Sequence, residues 1–265
     1  MKTIWLTDIH LEFLDDSGFN RFMGELRDKN ADAILISGDI AQAPTVAEYL
    51  SKMAQTLAIP IYFVLGNHDF YHGSIASVRA AVTNLSKRSS KLHWLNVCGA
   101  VYLNSTTCLI GHDGWGDARL GNYHNSGVIL NDFHLVSELA GLSRGELLQQ
   151  LRHLGDEAGE HFRTVLPHTL KSAEYVVVLT HVPPFREAAW YDGHYCAPDW
   201  LPFFSCKAVG DILCEIMKKH PHKRMTVLCG HTHGGDSSQI MSNLVALTGK
   251  ARYGHPVIQE IFEWE

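Results

Sequence analysis

Five short apolar runs in this chain break off, each within a residue or two, into a motif built from aspartate, asparagine or histidine. Lys2 to Thr7 leads to Asp8-Ile9-His10, and Ala33 to Ser37 leads to Gly38-Asp39. Ile61 to Leu65 leads to Gly66-Asn67-His68-Asp69, Tyr175 to Thr180 to His181, and Met225 to Cys229 to Gly230-His231-Thr232-His233. Runs this short and this continuously apolar read as strands buried on both faces. Phe19 to Lys29, Thr45 to Leu57, Ser74 to Lys87 and Lys207 to Lys219 carry the amphipathic spacing of helices. The alternation predicts an α/β fold with a partly parallel sheet. It places each polar motif in the loop beyond a strand's carboxyl end, where open α/β sheets put their ligands.

The motifs run from residue 8 to residue 233, so no cut between them leaves the set intact, and a single domain over residues 1–265 is expected. Further strand text at Val101 to Leu103, Thr106 to Ile110, Leu244 to Leu247 and Val257 to Phe262 suits a second sheet packed on the first. Residues 117 to about 172 interrupt the β pattern with helical text such as Ser143-Arg144-Gly145-Glu146-Leu147, read as a helical insertion. The longest apolar runs, such as Tyr175 to Leu179, are too short to span a bilayer. The first strand starts so close to Met1 that a removable signal peptide has no room, and a cytoplasmic location is expected. The six cysteines form no CxxC pair, which fits reduced thiols, with Cys229 a small buried one.

Asp8, His10, Asp39, Asn67, His181, His231 and His233 together offer four imidazoles, two carboxylates and one amide oxygen. A hard ion such as magnesium wants carboxylates and waters, whereas mixed nitrogen and oxygen donors favour transition metals such as manganese, iron or zinc. A lone Asp-x-His or Gly-Asp is ordinary turn text. Gly-Asn-His-Asp and Gly-His-Thr-His are stronger signals, because a turn requires no such histidines.

In this order, and over roughly residues 2 to 248, the motifs resemble the calcineurin-like metallophosphoesterase superfamily, in particular its bacterial phosphodiesterase-like branch. The resemblance implies a four-layer αββα sandwich, with two mixed β-sheets flanked by helices. It also implies two metal ions: Asp8, His10, Asp39 and His233 hold one, and Asp39, Asn67, His181 and His231 hold the other. Asp39 is the shared ligand of a pair whose ions sit roughly 3.5–4 Å apart. The implied reaction is in-line attack of a metal-bridging hydroxide on a small phosphate ester, with His68 protonating the leaving oxygen. Asp69 either orients that loop or caps its turn.

Neighbouring branches fit less well. Purple acid phosphatases carry a tyrosine, and Ser/Thr protein phosphatases an aspartate, three residues after the bridging aspartate, where this chain has Gln42. Protein phosphatases also read Gly-Asn-His-Glu, against Asp69 here. The carboxyl-terminal domain of periplasmic 5′-nucleotidases is not expected either, because the chain ends soon after the last motif.

The formal charge of −6 counts against nucleic acid as a partner, since such binding rests on Lys and Arg contacts with phosphates. The one basic cluster, Lys218 to Arg224, reads as a helix end and turn. A nuclease of the same fold is therefore the weaker alternative, and a non-catalytic metal-binding scaffold is disfavoured by the intact set with His68. After His181, Val182-Pro183-Pro184-Phe185 leads into Trp190-Tyr191-Asp192-Gly193-His194-Tyr195. Its Trp190, Tyr191 and His194 either wall a substrate pocket or form a packed loop. His72 and His112 lie near enough to the motifs to reach the site. Nothing in the sequence fixes an oligomeric state.

Overall fold

Four strand–helix units open the chain: β1 (Lys2–Leu6), α1 (Asp16–Asp28), β2 (Ala33–Ser37), α2 (Val46–Leu57), β3 (Ile61–Val64), α3 (Ile75–Arg88), β4 (Leu92–Trp94) and α4 (Leu95–Cys98). The computed structural model describes every residue except Asp192 and Glu265. Strands β1 to β4 pair in parallel, in that order. Helix starts follow local chemistry: the Asp15 carboxylate accepts from Gly18 N at 2.7 Å to cap α1, and the Ser74 hydroxyl accepts from Ser77 N at 3.0 Å to cap α3.

The chain then builds a second sheet. Its elements are β5 (Val101–Tyr102), β6 (Thr107–Gly111), α5 (Asp132–Leu135), α6 (Arg144–Thr169), β7 (Tyr175–Leu179), β8 (Trp190–Tyr191), β9 (His194–Tyr195), α7 (Leu201–Phe204), α8 (Lys207–Lys218), β10 (Arg224–Cys229), β11 (Gly234–Met241) and β12 (Leu244–Lys250). In this sheet the order is β11-β12-β10-β7-β6-β5, parallel at its centre and antiparallel at both edges. Strands β8 and β9 form a separate hairpin. The last strand, β13 (Glu260–Glu263), returns to the first sheet and runs antiparallel to β1.

Strand periodicity explains the layering, since successive side chains point to opposite faces. Ile4 and Leu6 of β1, Ile34 and Ile36 of β2, and Ile61 and Phe63 of β3 pack with Phe22, Met23, Leu50 and Met53 of the outer helices. Val176 and Val178 of β7 and Val227 of β10 pack with Phe162 of α6 and Leu213 of α8. The alternate residues, Trp5, Leu35 and Val64 on one sheet and Val177, Leu179 and Leu228 on the other, meet between the sheets. Three apolar interfaces separate four layers, helix, sheet, sheet and helix, which is the expected αββα sandwich.

Sheet membership departs from the sequence reading in two places. Strands β7 and β10 lie in the second sheet, although their text reads like that of β1 to β3. Strand β13 lies in the first, where it covers the free edge of β1, and Trp264 Nε1 donates to Thr3 Oγ1 at 2.9 Å. The interval 117–172 contains α5 and the 26-residue α6, whose start is a capping box of Ser143 and Glu146. Buried Leu147 and Leu151 of α6 join the first core, and Phe162 and Leu166 the second. All six cysteines are free, and Cys229 is fully buried. Among the described residues no helix is long and apolar enough to cross a membrane.

Candidate metal centre

The five polar motifs leave the carboxyl ends of β1, β2 and β3 in one sheet and β7 and β10 in the other, and all five meet at one edge of the sandwich. Five of the seven predicted ligands sit in left-handed backbone: Asp8 at φ 48°, His10 at 41°, Asp39 at 50°, His231 at 69° and His233 at 58°. Such positions cost about 1–3 kcal/mol each, and they cluster where function holds the geometry against that strain. Two motif glycines are dictated by space. A Cβ on Gly66 would lie 2.1 Å from Asp39 Oδ1, and one on Gly230 would lie 2.1 Å from Asp8 Oδ2.

Asp39 is buried, and its two oxygens face different histidines. Oδ2 lies 3.7 Å from His10 Nε2, and Oδ1 lies 3.4 Å from His181 Nε2 and accepts from His68 N at 2.9 Å. On one side, ligand atoms of Asp8, His10, Asp39 and His233 all fall within 4.8 Å of one another. His233 Nε2 is 3.2 Å from Asp8 Oδ1, while both nitrogens of His10 are buried with no hydrogen-bond partner. On the other side, His181 Nε2 and His231 Nδ1 converge on Asn67 Oδ1 at 3.0 and 2.9 Å. The remaining nitrogens of these two rings are tied to backbone carbonyls, His181 Nδ1 to Ser37 at 2.9 Å and His231 Nε2 to Phe203 at 3.2 Å. That fixes each ring's orientation and frees one nitrogen for the centre.

Burial alone would raise the Asp8 carboxyl, but the hydrogen bond and charge of His233 outweigh it and hold Asp8 at about 2. Burial works the other way on His181, and the charge of Asp39 overcomes it, lifting the imidazole to about 10. Burial, reinforced by His181, drops His231 to about 3. The two buried carboxylates of Asp8 and Asp39 thus stay ionised and stabilise positive charge on the imidazoles they face.

His68 borders the same cavity, stacked on Tyr71 at 4.2 Å and edge-on to His10 at 4.6 Å. Its buried Nδ1 has no hydrogen-bond partner, and burial lowers its pKa against the opposing pull of Asp39. Asp69 does not touch that ring. It clamps two loops, accepting from Ile40 N at 2.9 Å, Ala41 N at 2.8 Å and Gly66 N at 2.8 Å. His72 is exposed and does not border the cavity. His112 is turned away, its Nδ1 accepting from Gly114 N at 3.2 Å and its ring 5.0 Å from His161. Of the aromatic segment, Tyr191 lines the cavity, whereas Trp190 packs edge-on against Tyr195 at 4.7 Å and His194 is exposed in the hairpin. Trp190, on the face opposite Tyr191, packs on its cross-strand partner Tyr195, and His194, paired with Tyr191, stays exposed outside the cavity lining, so neither is a pocket wall; Asp192 lies outside the described residues.

Several functional neighbours carry no motif. Asp132, buried on α5, accepts from Asn67 Nδ2 at 2.9 Å and from Tyr71 Oη at 2.6 Å, which turns the Asn67 carbonyl oxygen toward the histidines. Glu12 places Oε1 3.5 Å from His10 Nδ1, and both its oxygens are buried without a hydrogen-bond partner. Asp113 accepts from Leu65 N at 2.8 Å and Trp94 Nε1 at 2.9 Å, while its carbonyl accepts from His181 N at 2.9 Å, so it braces one sheet's loops against the other's. Only spatial proximity reveals these roles, since Asp132 is 65 residues from Asn67. Asp132→Ala is expected to lower affinity for the ion on the Asn67 side by about 10–100-fold, as lost support of a ligand does. Calorimetric metal titration checks this: equal weakening of both ions, or of neither, contradicts the orienting role.

The calcineurin-like phosphoesterase family matches residues 1–235 of the chain. Similar proteins include the UDP-2,3-diacylglucosamine hydrolase of Shewanella sp. (strain ANA-3), 38% identical over 85 residues, which are 28% of this chain and 35% of that protein. The same hydrolase of Shewanella putrefaciens is 35% identical over 85 residues, with the same two shares. The matching segment spans about a third of these relatives' length. Among solved structures, phosphopantetheinyl hydrolase from Mycobacterium tuberculosis superposes with a TM-score of 0.63 at 13% identity, covering 96% of this chain and 90% of its own. A dimetal phosphatase from Danio rerio reaches 0.58 at 14% identity, covering 94% and 86%. At such identities the likeness concerns the fold.

Proposed function

We propose that this chain, which belongs to the calcineurin-like phosphoesterase family, hydrolyses a small phosphate ester using two metal ions shared across Asp39. The observation that carries this reading is the Asp39 carboxylate, buried, with one oxygen toward His10 and the other toward His181. The donor set fits metal on structural grounds. Both buried nitrogens of His10 lack a hydrogen-bond partner, and His181 and His231 each tie one nitrogen to a backbone carbonyl and turn the other toward Asn67 Oδ1. Asp8, His10, Asp39 and His233 would hold one ion, and Asp39, Asn67, His181 and His231 the other. When bound, such a pair supplies acidified water and positive charge for the phosphoryl oxygens.

The chain's own groups do the rest. Asn67, held by Asp132 and Tyr71, offers a neutral oxygen and so leaves the centre's positive charge undiminished. His68 borders the cavity and holds a proton near the departing oxygen, a role that favours catalysis over a purely structural metal site. Tyr71, Phe204 and Tyr253 line the walls beside it.

Stripping metal with a chelator should abolish hydrolysis of p-nitrophenyl phosphate and bis-p-nitrophenyl phosphate, and manganese, zinc or iron should restore it with two ions bound per chain. Hydrolysis that persists in the metal-free protein, or a single ion at full activity, would overturn the proposal.

A further inference from the structure

Next to the metal centre the pocket changes character within one side chain. The cavity is about 230 Å³, and beyond the predicted ligands and His68 its wall is Tyr71, Leu130, Asn131, Tyr191, Phe204 and Tyr253, with buried Asp132 behind. Among the described residues no lysine or arginine lines it. An unbroken run of rings leads outward from His231: Phe204 stands edge-on to it at 4.8 Å, Tyr191 edge-on to Phe204 at 6.0 Å, and Trp200 stacks on Tyr191 at 6.1 Å and 18°. On the opposite side Tyr253 packs on His10 at 4.6 Å and on His233 at 5.4 Å. Tyr191 and Trp200 remain 48% and 36% exposed, so these rings present open faces at the mouth.

Beyond the ions, a second anionic group on a substrate would leave water to face rings, the neutral hydroxyls of Tyr191 and Tyr253, an amide and the Asp132 carboxylate. With no lysine or arginine there, those neutral groups replace its hydration poorly. Flat uncharged groups gain instead, because ring faces and edges pair with other rings and exclude water.

We propose that the ester carries a flat, uncharged ring system on a single phosphorus, seated against Tyr191, Phe204 and Tyr253, and that substrates with a second anionic group are rejected. This rests on the phosphoesterase reading above and names its substrate class. The specificity element is the hairpin of β8 and β9, which brings Tyr191 to the pocket.

Three phosphonates test it on the metal-loaded chain, with binding read by calorimetry and by quenching of tryptophan fluorescence. Phenylphosphonate should bind about 3–10-fold more tightly than methylphosphonate, the range of one aromatic contact. Adding a carboxylate, in 4-carboxyphenylphosphonate, should remove that gain. In Tyr191→Ala, confirmed folded by circular dichroism, the phenyl-to-methyl ratio should collapse toward one. Equal affinities in the wild-type chain, undiminished binding of the carboxylated ring, or an unchanged ratio in the variant each overturns this substrate class. Inorganic phosphate separates the two readings. If the metal-loaded chain binds no phosphate, both fall, whereas phosphate binding with indifference to the ring overturns this inference alone.

Discussion

Asp39→Asn should lower phosphoester hydrolysis by at least about 10²–10³-fold, the range for removing one preorganised electrostatic group, and should deplete both ions together. The expectation comes from the geometry of one carboxylate. Oδ1 and Oδ2 face His181 and His10 respectively, and among the described residues no other carboxylate pairs with both rings. An amide retains one oxygen and can still accept from His68 N, so the loop is held while one side of the centre meets an NH₂ group in place of a negative oxygen. Asp8→Asn provides the contrast. Asp8 pairs with His233 and accepts from His231 N at 2.9 Å, so its loss should deplete only the ion of the His10 side. Metal analysis by mass spectrometry of both variants decides the matter. Two ions retained at full occupancy in Asp39→Asn, with normal turnover, would remove Asp39 from the shared position.

That these seven residues would meet was legible because two independent constraints coincide in the sequence. Strands buried on both faces are written as continuous apolar runs, and the loops that follow them contain histidines that no turn requires. Pairing partners are a different matter. Tyr175–Leu179 and Ile61–Val64 are equally apolar, and nothing in either says that one joins the second sheet and the other the first. The strand Gly234–Met241 is mostly polar and includes two serines, so hydrophobic patterning passes over it, and Leu92–Trp94 is only three residues long. Asp132, Glu12 and Tyr253 escape for another reason: each reaches the centre from a segment whose own sequence is ordinary, and its role exists only once the loops are assembled. Trp190, which the sequence leaves open between pocket wall and packed loop, shows the reverse. Its position after the His181 loop invites a pocket role, yet the strand alternation that brings Tyr191 inward turns its neighbour toward Tyr195.

His68→Ala is expected to keep both ions and slow turnover by roughly 10²–10⁴-fold on esters with poor leaving groups, the usual cost of losing general acid catalysis. The ring borders the cavity, its backbone N–H already serves Asp39, and its stacking on Tyr71 fixes the plane in which a proton can be handed on. Nitrophenyl esters should suffer far less, because nitrophenolate departs with little need of a proton. One arrangement in the structure competes with this role: His68, His10 and Glu12 place their donor atoms within 4.8 Å of one another, so the imidazole stands where it could share a cation with them. The two roles separate cleanly in the variant. Loss of metal from His68→Ala makes the residue a ligand. Retained metal with equal slowing of activated and unactivated esters makes it structural, and only retained metal with a leaving-group-dependent loss assigns it the proton.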